Sequence, residues 1–215
     1  MRGEGTAFSD LDLVVVYDAV PNAYRESFRF AGLPVEAFVH DPETLHYFFV
    51  EVDRPTGVPS LARMVQEGVE IPDGNVLSRS LRTLAISVIE GGPPVLTDEG
   101  DRTSRYNITD LVDDIRAPRS YEELIATGGR LYETLADYYL RANGQWSARG
   151  KTIPRELERV APDIAARYRA SFERLFKCGD PSDVIALSEA LLNQRGGLVF
   201  EGHRRAAAPQ WRKAL

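Results

Sequence analysis

The 215-residue chain is long enough for one large or two small domains with a buried core. Its formal net charge of −6, from 26 lysines and arginines against 32 aspartates and glutamates, lacks the basic footprint with which a general nucleic-acid binder displaces counterions, so a polynucleotide partner is not expected. The single cysteine, Cys178, excludes an internal disulfide; no apolar run approaches the roughly 20 residues of a membrane span, and Met1-Arg2-Gly3-Glu4-Gly5 has no signal-peptide core, so a cytoplasmic protein without a membrane partner is expected.

In chain order, the polar segment Gly3-Glu4-Gly5-Thr6 runs straight into Leu13-Val14-Val15-Val16-Tyr17, so apolar and β-branched that it predicts a strand buried on both faces. At its mouth Asp10 and Asp12 stand two apart, which on a strand puts both carboxylates on the same face. Carboxylates that close resist joint ionisation unless a cation holds them; otherwise Asp10 caps a turn and Asp12 is a solvated strand end. After a connection containing Pro21 and Asn22, Tyr24–Phe30 and residues 35–40 are short, aromatic and β-branched. They flank Ala31-Gly32-Leu33-Pro34, which predicts a hairpin. Alternation in its second arm puts Val35, Ala37 and Val39 on one face and Glu36 with Phe38 on the other. Glu36 is either a solvent-facing edge residue or a carboxylate aimed at a site.

Asp41-Pro42-Glu43 opens a helix through Leu45, Phe48 and Phe49 that should end before Pro55. Further helices are expected over Ser60–Glu67 and over residues 75–90, the latter with Leu77, Leu81, Leu84 and Val88 at helical spacing and a firm stop at Gly91-Gly92-Pro93-Pro94. Beyond that, no strand pattern is evident. Helices are expected over residues 107–115, 120–142, 154–160, 162–176 and 180–193, the second opened by a Ser120 to Glu123 capping box and the last closed by Gly196-Gly197. The expected architecture is therefore α+β: a small mixed sheet with flanking helices over residues 1–100, then a helical bundle over 101–215, with a boundary in the Gly-, Pro- and charge-rich stretch 92–106 and a fraying tail from Arg204.

Several features lack the pattern their chemistry needs. Gly150-Lys151-Thr152 resembles the end of a phosphate-binding loop, but the required glycine is replaced by Gln145 and a helix precedes it, so Lys151 and Arg155 read by default as a solvated pair near a helix start. His40, His46, His203 and Cys178 have no metal-ligand spacing, and Tyr138-Tyr139 fits core and rim of a packing face. The acids remain: Asp10, Asp12 and Glu36 lie on adjacent extended segments where three carboxylates can converge, a hard oxygen set suited to Mg²⁺. Two such ions, or one with a basic side chain, suit attack at the α-phosphorus of a nucleoside triphosphate.

The run Arg2-Gly3-Glu4-Gly5-Thr6-Ala7-Phe8-Ser9-Asp10-Leu11-Asp12-Leu13 resembles the second half of the nucleotidyltransferase superfamily signature, an Arg-Gly pair leading to Ser-Asp-x-Asp on the first strand. Glu36, in Pro34-Val35-Glu36-Ala37-Phe38-Val39, is similar to that superfamily's third acid, and the hairpin with a helical region behind it resembles the aminoglycoside nucleotidyltransferases. The resemblance implies that Asp10 and Asp12 bind Mg²⁺, as a pair of ions, that Glu36 completes the metal site or acts as general base, and that Arg2, Gly3 and Ser9 lie at the nucleotide. It implies transfer of a nucleoside monophosphate from a triphosphate such as ATP to a small-molecule hydroxyl, with release of pyrophosphate. The family's Gly-Ser turn and first helix precede the Arg-Gly pair, whereas Met1 stands just before Arg2, so the chain is expected to lack that segment and its phosphate contacts. A non-catalytic module binding a nucleotide or partner, or an antitoxin-like enzyme modifying a protein, is the alternative; a homodimer is compatible with each.

Overall fold

In a computed structural model of the chain, the described residues are Thr6, 8–208 and Trp211. They fall into two compact units, Met1–Pro94 and Val95–Leu215. The architecture is α+β: three strands in the first unit, helices in both.

The sheet of the first unit has the order β1-β3-β2, from β1 (Leu11–Val16), β2 (Tyr24–Phe30) and β3 (Leu33–His40). β3 is central, parallel to β1 and antiparallel to β2. The hairpin turn is shorter than the sequence suggests: Ala31 and Gly32 alone connect the strands, with φ of 48° and 83°. Two consecutive left-handed residues give the turn the twist that matches its flanking strands. Leu33 and Pro34 therefore belong to β3. Phe30 and Leu33 close the two-residue turn, so the nitrogen of Pro34 faces away from β2, beyond the point where pairing with β1 begins at Leu11 and Val35, and its missing N–H breaks no ladder bond.

The expectation that the first strand is buried on both faces is not met. β1 is an edge strand, Leu13 to Val16 are only half-buried, and Tyr17 is exposed. The strand with the deeply buried face is β3, where Val35, Ala37 and Val39 retain 2–3% exposure. An apolar run records that a strand is buried somewhere, not which strand lies in the middle.

Val14 and Val16 of β1 and Phe38 of β3 share a face that packs on a cluster of Leu45, Phe49, Leu61, Ala62, Leu81 and Ala85. That cluster comes from α1 (Pro42–Tyr47), a π-helical stretch (Phe48–Asp53), α3 (Ser60–Glu67) and α4 (Val76–Glu90), while the short α2 (Arg54–Thr56) after the π-helical stretch adds no side chain to it. Asp41 caps α1 through a reciprocal box with Thr44. The helical path does not stop before Pro55 as expected. The wider π winding carries it to Gly57, whose φ of 75° ends it. A proline near the start of the new turn has no intrahelical N–H bond to lose. Asp53 then caps the next helix from outside, its carboxylate accepting the Leu61 N–H at 2.7 Å.

The second unit contains α5 (Asp98–Arg116), α6 (Tyr121–Ala142), α7 (Ile153–Val160), α8 (Pro162–Cys178) and α9 (Ser182–Asn193). Ile108, Val112, Leu131, Leu135, Leu157, Phe172, Leu175 and Val184 lie at its centre. Helix α5 starts well ahead of the expected residue 107: Thr97 accepts the Gly100 N–H at 3.1 Å, and Asp98, Glu99 and Asp101 occupy the first turn, where the helix dipole favours acids. The buried Asp101 also accepts from Arg105 Nε at 2.8 Å and from the Tyr138 hydroxyl at 3.1 Å, while Arg105 donates to the Gly197 carbonyl at 2.9 Å. This network fastens α5 to α6 and to the turn after α9. Burial, then the Asp101 charge, push the Tyr138 phenol up to about 12. No helix among the described residues is long and apolar enough to cross a membrane.

Candidate metal centre

β1 and β3 run parallel with Asp12 directly opposite Glu36, so their side chains leave the sheet on one face. Asp10 lies just ahead of β1, two residues from Asp12 and in phase with it. The three carboxylates converge: one oxygen from each lies within 4.8 Å of the others. Asp10 and Asp12 are exposed and Glu36 is half-buried, so a solvated ion can enter and keep waters.

This donor set fits a hard divalent cation. Oxygens bound to a six-coordinate Mg²⁺ at about 2.1 Å are roughly 3–4 Å apart, so small side-chain rotations close the observed spacing. Three ionised carboxylates this close repel one another in the absence of positive charge. Part of that charge is supplied by Arg25 of β2, which pairs with Glu36 and sets its guanidinium carbon 4.9 Å from the centre of the Phe38 ring. Strand register explains the meeting: Arg25 is paired with Phe38 and Ser27 with Glu36, so Arg25, Ser27 and Arg29 project from the carboxylates' face. Arg25 carries no motif of its own in the sequence, although extending the alternation of Glu36 and Phe38 across the hairpin places it there.

Of the other anticipated residues, Arg2 and Gly3 lie outside the described residues. Ser9 sits in a local turn, where its hydroxyl accepts the Thr6 N–H at 2.8 Å and lies 3.2 Å from the Thr6 hydroxyl, while its own N–H bonds to the Thr6 carbonyl. This turn delivers the chain to Asp10. Lys151 is in a 3₁₀ turn, Gly150–Thr152, that leads into α7, and Cys178 is exposed at the end of α8. None of the histidines joins the acidic trio among the described residues.

His40 ends β3 on the face of Glu36 and Phe38 but four residues further along than Glu36. It is 3% exposed, its ring meets Phe48 edge-on at 4.8 Å, and its Nδ1 has no protein hydrogen-bond partner. Burial lowers its pKa, opposed in part by the Asp41 charge. His40 thus belongs to the packing between the sheet and the helical stretch that follows it.

No protein-family model matches the sequence, and no curated protein does. Among solved structures, the nucleotidyltransferase-like protein from Exiguobacterium sibiricum 255-15 is similar to this chain with a TM-score of 0.44 and 14% sequence identity. The similarity covers 85% of this chain and 61% of that protein, so the chain spans less than two thirds of its length.

Proposed function

We propose that this chain carries the metal-binding carboxylates of a nucleotidyltransferase, which moves a nucleoside monophosphate from a triphosphate to a hydroxyl of a small-molecule acceptor. The observation that carries this reading is the convergence of Asp10, Asp12 and Glu36 across β1 and β3, in a motif that resembles the superfamily signature.

Asp10 and Asp12, with Glu36 where it completes the site, would hold Mg²⁺. When bound, the metal neutralises the triphosphate and stabilises the charge that builds on the α-phosphoryl group as it is attacked. In the reaction the acceptor hydroxyl forms a new O–P bond at the α-phosphorus, the bond to pyrophosphate breaks, and the hydroxyl proton passes to a carboxylate of the trio. Glu36 either completes the metal site or takes that proton as general base. Arg2, Gly3 and Ser9 complete the proposal as nucleotide contacts. A homodimer and a cytoplasmic location are compatible with this reading.

The test is a transfer screen with α-³²P-labelled nucleoside triphosphates, Mg²⁺ and a panel of hydroxyl acceptors, run on the full chain and on Asp10→Asn. The reading expects label on an acceptor, release of pyrophosphate, and loss of transfer by on the order of a hundredfold or more in the variant. Transfer unchanged in Asp10→Asn removes the assignment of that carboxylate. Metal-dependent nucleotide binding without turnover would instead assign a nucleotide-binding module.

A further inference from the structure

We infer that Arg25 is a nucleotide-binding residue that occupies Glu36 in the absence of metal and, once a cation takes over that carboxylate, contacts the anionic nucleotide. The inference rests on the metal-site reading above and extends it to a residue outside the acidic motif.

Arg25 and Glu36 are eleven positions apart in sequence, brought together by the β2–β3 hairpin. The arginine side chain is 55% exposed and that of Glu36 24%, so the pair lies at the open rim of the carboxylate group. An exposed pair of this kind is weak in itself, because solvent screens it and both side chains lose freedom to form it. A divalent cation coordinated by three carboxylates is a much stronger partner for Glu36, and it repels the guanidinium. Arg25 is therefore displaced when the cation binds, but it is not lost from the site. Its packing over Phe38, 4.9 Å from the ring centre, anchors it to the same face of the sheet. The displaced group offers a planar fork of N–H donors suited to phosphate oxygens, beside the ion that phosphates also seek. Arg29 projects from the same face of β2, but its Nη1 donates to the Gly32 carbonyl of the turn at 3.1 Å, so it is the natural control.

These two tasks give Arg25→Gln an unusual signature. Removing a positive charge that competes for Glu36 tightens metal binding, by roughly three- to tenfold at low ionic strength for a unit charge a few ångströms from a divalent ion. Removing the phosphate contact weakens nucleotide binding, by roughly fivefold or more. A residue that merely supports the hairpin would shift both affinities in the same direction.

The experiment measures Mn²⁺ binding to the full chain from the electron paramagnetic resonance signal of the free ion. In parallel, a non-hydrolysable triphosphate analogue is titrated at saturating Mn²⁺, for the wild type, Arg25→Gln, Arg25→Lys and Arg29→Gln. The expected result is tighter Mn²⁺ and weaker nucleotide for Arg25→Gln, near-wild-type Mn²⁺ but weaker nucleotide for Arg25→Lys, which keeps the charge and loses the planar fork, and a smaller change for Arg29→Gln. Wild-type Mn²⁺ binding with no tightening in Arg25→Gln, or equal effects of Arg25→Gln and Arg29→Gln, overturns the role of Arg25 and leaves the metal site standing. Wild-type protein that binds no Mn²⁺ overturns both readings. Unfolding midpoints of all variants identify any that fail to fold; for those, Arg25→Lys carries the comparison.

Discussion

Asp12 and His40 lie on the same face of the sheet, and their environments give them opposite duties. Asp12 is exposed, with a carboxylate oxygen within 4.8 Å of those of Asp10 and Glu36, in a group that could hold a metal ion. His40 is buried and held neutral, with its pKa below the ordinary 6.5 through burial. The unfolded chain takes up a proton near 6.5 more readily than the folded one, so the stability contributed by neutral His40 is complete above that pH and is lost as the pH falls below it. Denaturant unfolding at pH 7.5, 6.0 and 5.0 should show this decline, and His40→Leu should flatten it. An equal decline in the variant would assign the effect to other groups.

Local signals in the sequence decide most of the elements, and their failures have identifiable causes. The alternation of Val35, Glu36, Ala37, Phe38 and Val39 already puts Glu36 on the opposite face from the three small apolar residues, but that Asp12 shares its side follows only from the register of β1 with β3. The order of the strands is a long-range property that no local pattern encodes, so the edge position of β1 is not legible. The start of α5 is hidden because the charged residues from Asp98 to Arg105, interrupted by Gly100, resemble a linker. Yet Thr97 followed by Asp98 and Glu99 is a cap with acids in the first turn, and Asp101 with Arg105 is a helical pair. Thr97→Ala should cost about 1 kcal/mol in denaturant unfolding. Helix contact makes a sharper demand at Gly128 of α6, where an added Cβ would come within 2.7 Å of the fully buried Leu175 side chain of α8. Overpacking of that kind costs about 1–3 kcal/mol, so Gly128→Ala should lower the midpoint, whereas Gly129→Ala, where nothing lies within 4 Å, should raise it slightly by improving helix propensity.

Across the whole molecule, the two units differ in how much apolar surface they bury. The helical unit encloses a large core with the Asp101, Arg105 and Tyr138 network at one side, while all seven residues of β2 in the first unit are exposed. We expect residues 95–215 expressed alone to be helical and to melt cooperatively; a gradual, non-cooperative melt would show that the helices depend on the sheet unit. The first unit contains the three converging carboxylates, and the central claim is that they bind a divalent cation. That claim is tested most directly by titrating the full chain with Mn²⁺ and reading the free ion by electron paramagnetic resonance, for the wild type and for Asp12→Asn. The account predicts saturable binding by the wild type that weakens by about tenfold or more in the variant. Equal binding by both proteins, or no saturable binding by the wild type, would contradict it.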